Sequence, residues 1–170
     1  VIARLERQGE RHSEHLASVL ERFGDADRAS ACCRAVLSAN DIVPEFPEPV
    51  LEQANAIAAL TGIHPKEMQA RMDLREHIIF TIDGADSKDL DDAISIAKTE
   101  NGWDLGVHIA DVSYFVTHKS PLDEEAFVRG TSVYYADSVV PMLPPALSNG
   151  ICSLNPGEDR LSFSALMRLD

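Results

Sequence analysis

The chain has 170 residues, of which 45% are hydrophobic and 25% charged, with a formal net charge of −13. That is the composition of a soluble globular protein, one large domain or one and a half small ones, able to bury a sizeable core. No apolar run approaches the roughly 20 residues that cross a bilayer, and the start VIARLERQGE is not a signal peptide, so no membrane partner is expected. The first residue is Val rather than Met, and the chain reads as a piece of something longer.

The opening VIARLERQG alternates apolar and charged residues and ends at Gly9, as a half-buried strand does. Ser13 reads as the N-cap of a helix carrying Leu16, Val19, Leu20 and Phe23 on one face, stopped by Gly24. A second helix is expected from about Asp27 to Ala39, with Cys32, Cys33, Val36 and Leu37 turned inward. Pro44, Pro47 and Pro49 keep NDIVPEFPEPV extended. Pro49 then suits the first turn of a helix PVLEQANAIAAL, closed by Gly62. These helices form a connecting layer without evident chemistry.

The second half reads differently. HIIFTI is a strand, followed by an Asp-rich loop and by two strand-like runs, DAISIAKT and WDLGVHIA, joined through Glu100-Asn101-Gly102. Asn101-Gly102 is a strong hairpin signal. SPLDEEAFVRG begins with Ser120 as N-cap and Pro121 at the first helical position, has Asp123 closing a capping box, and stops at Gly130. TSVYYADSVVPMLPPALSNG predicts a short strand, a loop and a short helix ending at Asn149-Gly150. RLSFSALMRL alternates as a last strand. No repeat or low-complexity tract occurs. Three cysteines, two of them adjacent, give neither a disulfide framework nor a zinc spacing. Buried free thiols in a reducing compartment are expected.

The stretch TIDGADSKDLDDAISI places Asp83, Asp86, Asp89, Asp91 and Asp92 within ten positions, between two strand-like runs. Residues 1–80 carry a net −4 and residues 81–170 a net −9, and the cluster with Lys88 supplies −4 of the latter. Such a balance argues against a polyanion partner unless a divalent cation sits among the carboxylates. A solvated acidic loop is one reading. A hard cation such as magnesium, held by several oxygens on a short loop that Gly84 lets turn, is the other. A calcium loop of the EF-hand type fails in both registers: from Asp83 it puts Ala85 and Ile94 where oxygen ligands are needed, and from Asp89 it puts Ala93 and Ile94 at a ligand and the glycine position. No Gly-rich phosphate loop is present.

TIDGADSKDLDDAISI resembles the metal-binding signature of the ribonuclease II/ribonuclease R family of exoribonucleases. HIADVSYFV resembles the family's next strand, and RGTSVYY with VVPMLPPALSNGICSLNPGEDRLSFSALM resembles the stretch after it, in the ribonuclease R form. The likeness runs from about Asp73 to the C-terminus. It implies an α/β (α+β) fold in which a helical linker leads into a mixed, mostly antiparallel sheet. Residues 1–12 would be the last strand of a preceding cold-shock domain, 13–76 a helical linker, and 77–170 the N-terminal part of the catalytic domain.

The resemblance also implies a 3′→5′ exoribonuclease that uses magnesium to release nucleoside 5′-monophosphates from single-stranded RNA, monomeric and cytoplasmic. The family's four acidic positions fall on Asp83, Asp89, Asp91 and Asp92. Asp83 and Asp92 would hold magnesium against the scissile phosphate. Asp89 and Asp91 would complete the catalytic site and place a second metal or the attacking water. Tyr134 falls on the family's nucleotide-stacking aromatic, while Asp86 is left a surface role. The family's complete enzymes carry a later arginine and further RNA-binding domains, so this chain alone is expected to be inactive. A non-catalytic RNA-binding relative and a purely structural fragment are the alternatives.

Among the other polar and aromatic residues, His108 is expected in the core or bonded to backbone. Asp111 either points toward the metal pocket or caps a turn. Trp103 and Tyr114 read as packing residues, and Tyr135 should face away from Tyr134.

Overall fold

A computed structural model describes residues 1–60, 62–135 and 138–170. The chain divides into two compact units, Val1–Glu45 with Tyr135–Ser138, and Phe46–Tyr134 with Val139–Asp170.

In the first unit, strand β1 (Ile2–Arg7) pairs antiparallel with β2 (Leu16–Glu21), with Ala3 opposite Val19 and Leu5 opposite Ala17. The helix expected after Ser13 is therefore replaced by a 3-10 turn, His12–Glu14, and a strand. Leu16, Val19 and Leu20 suit one helical face, but β1 offers a row of unpaired backbone groups close by in sequence, and pairing with it satisfies both strands. Gly9 makes the connection possible, because a Cβ there would come within 2.2 Å of Glu14 Cβ. Helix α1 (Ala29–Ala39) buries Ala31 and Leu37, whereas Cys32 and Val36 lie exposed and Cys33 is only half-buried. The inward face is thus rotated from the one expected, and of the three free thiols only Cys152 is buried.

The second unit begins with α2 (Glu48–Ala58) and α3 (Pro65–Ala70), the latter capped by the His64 side chain accepting from the Lys66 amide. Its sheet has three antiparallel strands in the order β3 (Asp92–Thr99), β4 (Gly102–Ala110), β7 (Ser162–Leu169). Thr99 pairs with Gly102, so the hairpin turns on Glu100 and Asn101, one position earlier than expected. The central strand buries Gly106, His108 and Ala110 at the period of two that a pleated strand imposes. HIIFTI is not a strand. It meets β3 at one residue pair, Phe80 with Ile94, through bonds of 3.0 and 2.9 Å, and leaves Ile78 and Ile82 exposed.

His108 is 2% exposed and bonds to hydroxyls rather than to backbone: Nε2 lies 3.0 Å from Ser95 Oγ and Nδ1 2.8 Å from Ser164 Oγ. One ring thus bridges all three strands.

Short helix α4 (Val112–Phe115) follows β4, and α5 (Pro121–Arg129) starts at Ser120, whose hydroxyl accepts from the Asp123 amide, and ends at Gly130 in the left-handed region. Asp123 reaches back to the Lys119 amide at 2.7 Å, one residue before the cap. Strands β5 (Val133–Tyr135) and β6 (Ser138–Val140) pair with each other, so a second strand stands where only a loop was expected after the first; residues 136–137 lie outside the described residues. A π-helical turn, Leu147–Ile151, takes the place of the short helix. The core packs Val50 and Ala54 of α2 against Leu122, Leu147 and Cys152. Gln53 Oε1 accepts from the Leu122 amide at 3.1 Å, so α2 also satisfies a free amide at the start of α5. Among the described residues no helix is long and apolar enough to cross a membrane.

Candidate active site

The aspartate loop runs into β3, whose first residue is Asp92. Its first part turns at Gly84, where the Ser87 amide donates to the Gly84 carbonyl at 3.0 Å. A Cβ on Gly84 would meet only Ser87 Oγ, at an ordinary 3.6 Å, so the turn does not require glycine there. The last part, 88–91, is fastened from two sides. The Ala110 amide donates to the Asp91 carbonyl at 2.9 Å, and the Leu154 amide donates to the Leu90 carbonyl at 2.8 Å. Ser153 Oγ accepts from the Leu90 amide at 2.9 Å and donates to the Lys88 carbonyl at 3.1 Å.

This anchoring fixes the backbone that carries Asp89 and Asp91. Burial foremost, then the Asp91 charge and a hydrogen bond between the two carboxyls, push Asp89 up to about 6. Asp91 is raised as well, by burial first and then by Asp92 and Asp83, while its bond with Asp89 pulls the other way. Asp91 thus feels the charges of Asp92 and Asp83 as well as its neighbour Asp89. Asp83, Asp86 and Asp92 are exposed; Asp91 is exposed too by its accessible surface, so the desolvation that raises it is only partial.

Among the described residues no three His, Cys, Asp or Glu side chains are gathered tightly enough to cage a metal. Magnesium does not need such a cage, because it keeps several waters and takes one or two carboxylates together with substrate phosphates. Neighbouring carboxylates on a fastened loop fit that requirement: they are hard oxygen donors, and a divalent cation would relieve their repulsion.

Tyr134 stands on β5 with 74% of its surface accessible, free to present a ring face, and Tyr135 is half-buried, as strand alternation requires. Asp111 is drawn to Arg71 Nη1 at 2.7 Å and accepts from Ser113 Oγ at 2.9 Å. Burial opposes the charge on Asp111, but bonds from Arg71 and Ser113 leave its carboxyl below the usual range. Tyr114 packs edge-to-face on Phe115 at 5.0 Å with Arg71 over its ring, and Trp103 lies half-exposed beside Lys98. A cavity of about 1040 Å³ takes Leu90, Leu154 and Arg160 into its wall with Arg71, Arg75 and His77, but none of the four carboxylates lines it. The carboxylates occupy an open loop instead.

Sequence reasoning missed Ser153 and its segment, which do the fastening. The available signal was a lone hydroxyl between Cys152 and Leu154, in a stretch quoted only for its likeness to the family.

The RNB domain family matches residues 71–170. Ribonuclease R 1 of Lactococcus lactis is 55% identical over 152 residues, 89% of this chain and 18% of that protein. Mycoplasma genitalium RNase R in complex with double-stranded RNA aligns with a TM-score of 0.87 at 33% identity, over 99% of this chain and 30% of that one. The same protein in complex with ribose-methylated single-stranded RNA gives 0.86 at 32% identity, over 99% and 26%. The chain thus spans about a fifth of the length of the curated relatives it matches.

Proposed function

Because this chain belongs to the RNB domain family, we propose that it supplies the metal-binding acidic loop of a 3′→5′ exoribonuclease acting on single-stranded RNA. The observation that carries this reading is an acidic segment, Asp89 to Asp92, fastened by Ser153, Leu154 and Ala110 at the entrance of β3 within the matched residues. A merely solvated acidic loop would have no need of backbone bonds from two segments distant in sequence.

In this reading Asp83 and Asp92 hold magnesium at the scissile phosphate, and Asp89 and Asp91 complete the site and orient the attacking water. Bound magnesium would supply charge neutralisation at the phosphate and a nucleophile at neutral pH. Tyr134 stacks on a base near the 3′ end, a grip that every base offers and that suits an enzyme without sequence preference. Positioning of the phosphate in line provides much of the rate enhancement in such reactions, and the relatives' much greater length supports assigning that task to other parts of the protein.

The test is Asp91→Asn in the full-length protein, with cleavage and equilibrium binding measured on one single-stranded RNA. Turnover should be lost while RNA affinity, which rests on backbone contacts and stacking, stays largely intact. Full activity would return the aspartates to a solvated loop, and joint loss of binding and activity would make the cluster a support of the fold.

A further inference from the structure

Ser153 has no accessible surface, yet it carries a hydroxyl in a segment of Cys, Leu and backbone. The two groups it binds are informative. The Lys88 carbonyl belongs to the peptide bond entering Asp89, and the Leu90 amide belongs to the peptide bond leaving it. One oxygen atom therefore holds the backbone on both sides of Asp89, accepting at 2.9 Å and donating at 3.1 Å. Its single proton goes to Lys88, the Asn155 Oδ1 lying farther off at 3.4 Å.

Ser153 is itself held in place. Arg160 Nε donates to the Ser153 carbonyl at 2.9 Å, and Arg160 Nη2 donates to the Gly150 carbonyl at 3.3 Å. That same Gly150 carbonyl accepts from the Ser153 amide at 3.0 Å and from Asn155 Nδ2 at 3.4 Å. The next residue, Leu154, continues the grip through its amide on the Leu90 carbonyl. Arg160 thus braces the turn that presents Ser153, and Ser153 braces the loop that presents Asp89 to Asp91.

We infer that Ser153 is a positioning residue that sets the approach of the Asp89 and Asp91 carboxylates, and through it the affinity of the loop for a divalent cation. The inference rests on the metal-site reading above. Two carboxylates that repel each other separate when the backbone beneath them is free, and a hydroxyl bonded to both flanking peptides removes that freedom. Removing groups that orient metal ligands without touching the metal typically lowers affinity about 10- to 100-fold.

The probe is Mn²⁺ alone, titrated against the 170-residue chain and followed by the electron paramagnetic resonance of the free ion, with circular dichroism and thermal unfolding run in parallel. Ser153→Ala should weaken Mn²⁺ binding by about 10- to 100-fold with its secondary structure retained. Arg160→Lys, which keeps the charge but loses the two-pronged hold, should weaken it by a smaller factor. Unchanged Mn²⁺ affinity in a folded Ser153→Ala or Arg160→Lys chain overturns the inference. If both variants fail to fold, Ser153 supports the fold rather than the site, and the inference is again overturned. Failure of the wild-type chain to bind Mn²⁺ would instead sink the metal-site reading itself.

Discussion

Replacing Asp89 with Asn should stabilise the metal-free chain, and only on the alkaline side. Asp89 titrates at about 6 in the fold against 3.8 for an ordinary aspartate. At about 1.4 kcal/mol per unit, the full shift is worth roughly 3 kcal/mol. The carboxyl is partly open to water, and screening reduces the expected gain to about 1 kcal/mol, or about 2–4 °C in unfolding temperature. The sign follows from linkage. A carboxyl with a raised folded value leaves stability untouched below 3.8, costs progressively more as pH rises toward 6, and carries its full cost above that. Asn carries no such cost at any pH. The gain should therefore be complete at about pH 8 and fall to about a third at about pH 4.5. The assay is thermal unfolding of wild type and Asp89→Asn in EDTA at both pH values, repeated at the higher one with magnesium added. Magnesium in excess of the chelator should stabilise wild type more than the mutant, which keeps Asp83, Asp91 and Asp92. A gain equal at both pH values, or a loss at the higher one, would refute the crowding of Asp89 against Asp91.

Tyr134→Ala in the full-length protein should leave long RNA degradable but lengthen the final products, since one lost stacking contact costs about 1–3 kcal/mol; gel analysis of end products checks this, and unchanged products would shift attention to Tyr135. Cys152, buried and pushed up to about 11 chiefly by desolvation, should resist iodoacetamide in the native chain at about pH 8, while exposed Cys32 is modified; mass spectrometry with and without denaturant distinguishes them. Leu147→Ala, with no accessible surface in the parent core, should cost about 2–5 kcal/mol in urea unfolding. A loss below about 1 kcal/mol would mean that α2, α5 and the π turn do not share one core.

Much of the second unit was legible because local and tertiary preferences agree there. The bounds of β3 coincide with DAISIAKT, and Ser120, Pro121 and Gly130 mark the ends of α5 by chemistry that needs no distant partner. The segment around Leu16–Glu21 was misread because its apolar spacing serves a helix and a strand alike, and only pairing with β1 decides between them. HIIFTI has strand-like residues but meets a partner at one position. The aspartates announced themselves by density and by motif. Ser153 did not, because a buried hydroxyl acquires its role from two peptide groups more than sixty residues away in sequence.

The His108 bridge has a consequence for Asp92. Ser164 faces His108 directly across β4 and β7, while Ser95 reaches it on the diagonal from beside Gly106, where any Cβ would fall 2.4 Å from the serine oxygen. Sliding β3 along β4 therefore breaks the Ser95 bond to the ring, and sliding β7 breaks the Ser164 bond. A slip of β3 by a single residue would turn Ser95 away from the imidazole and send Asp92 to the opposite side of the sheet. The histidine works as a keyed pin: with it seated, β3 keeps one register against β4, and Asp92 keeps one face of the sheet.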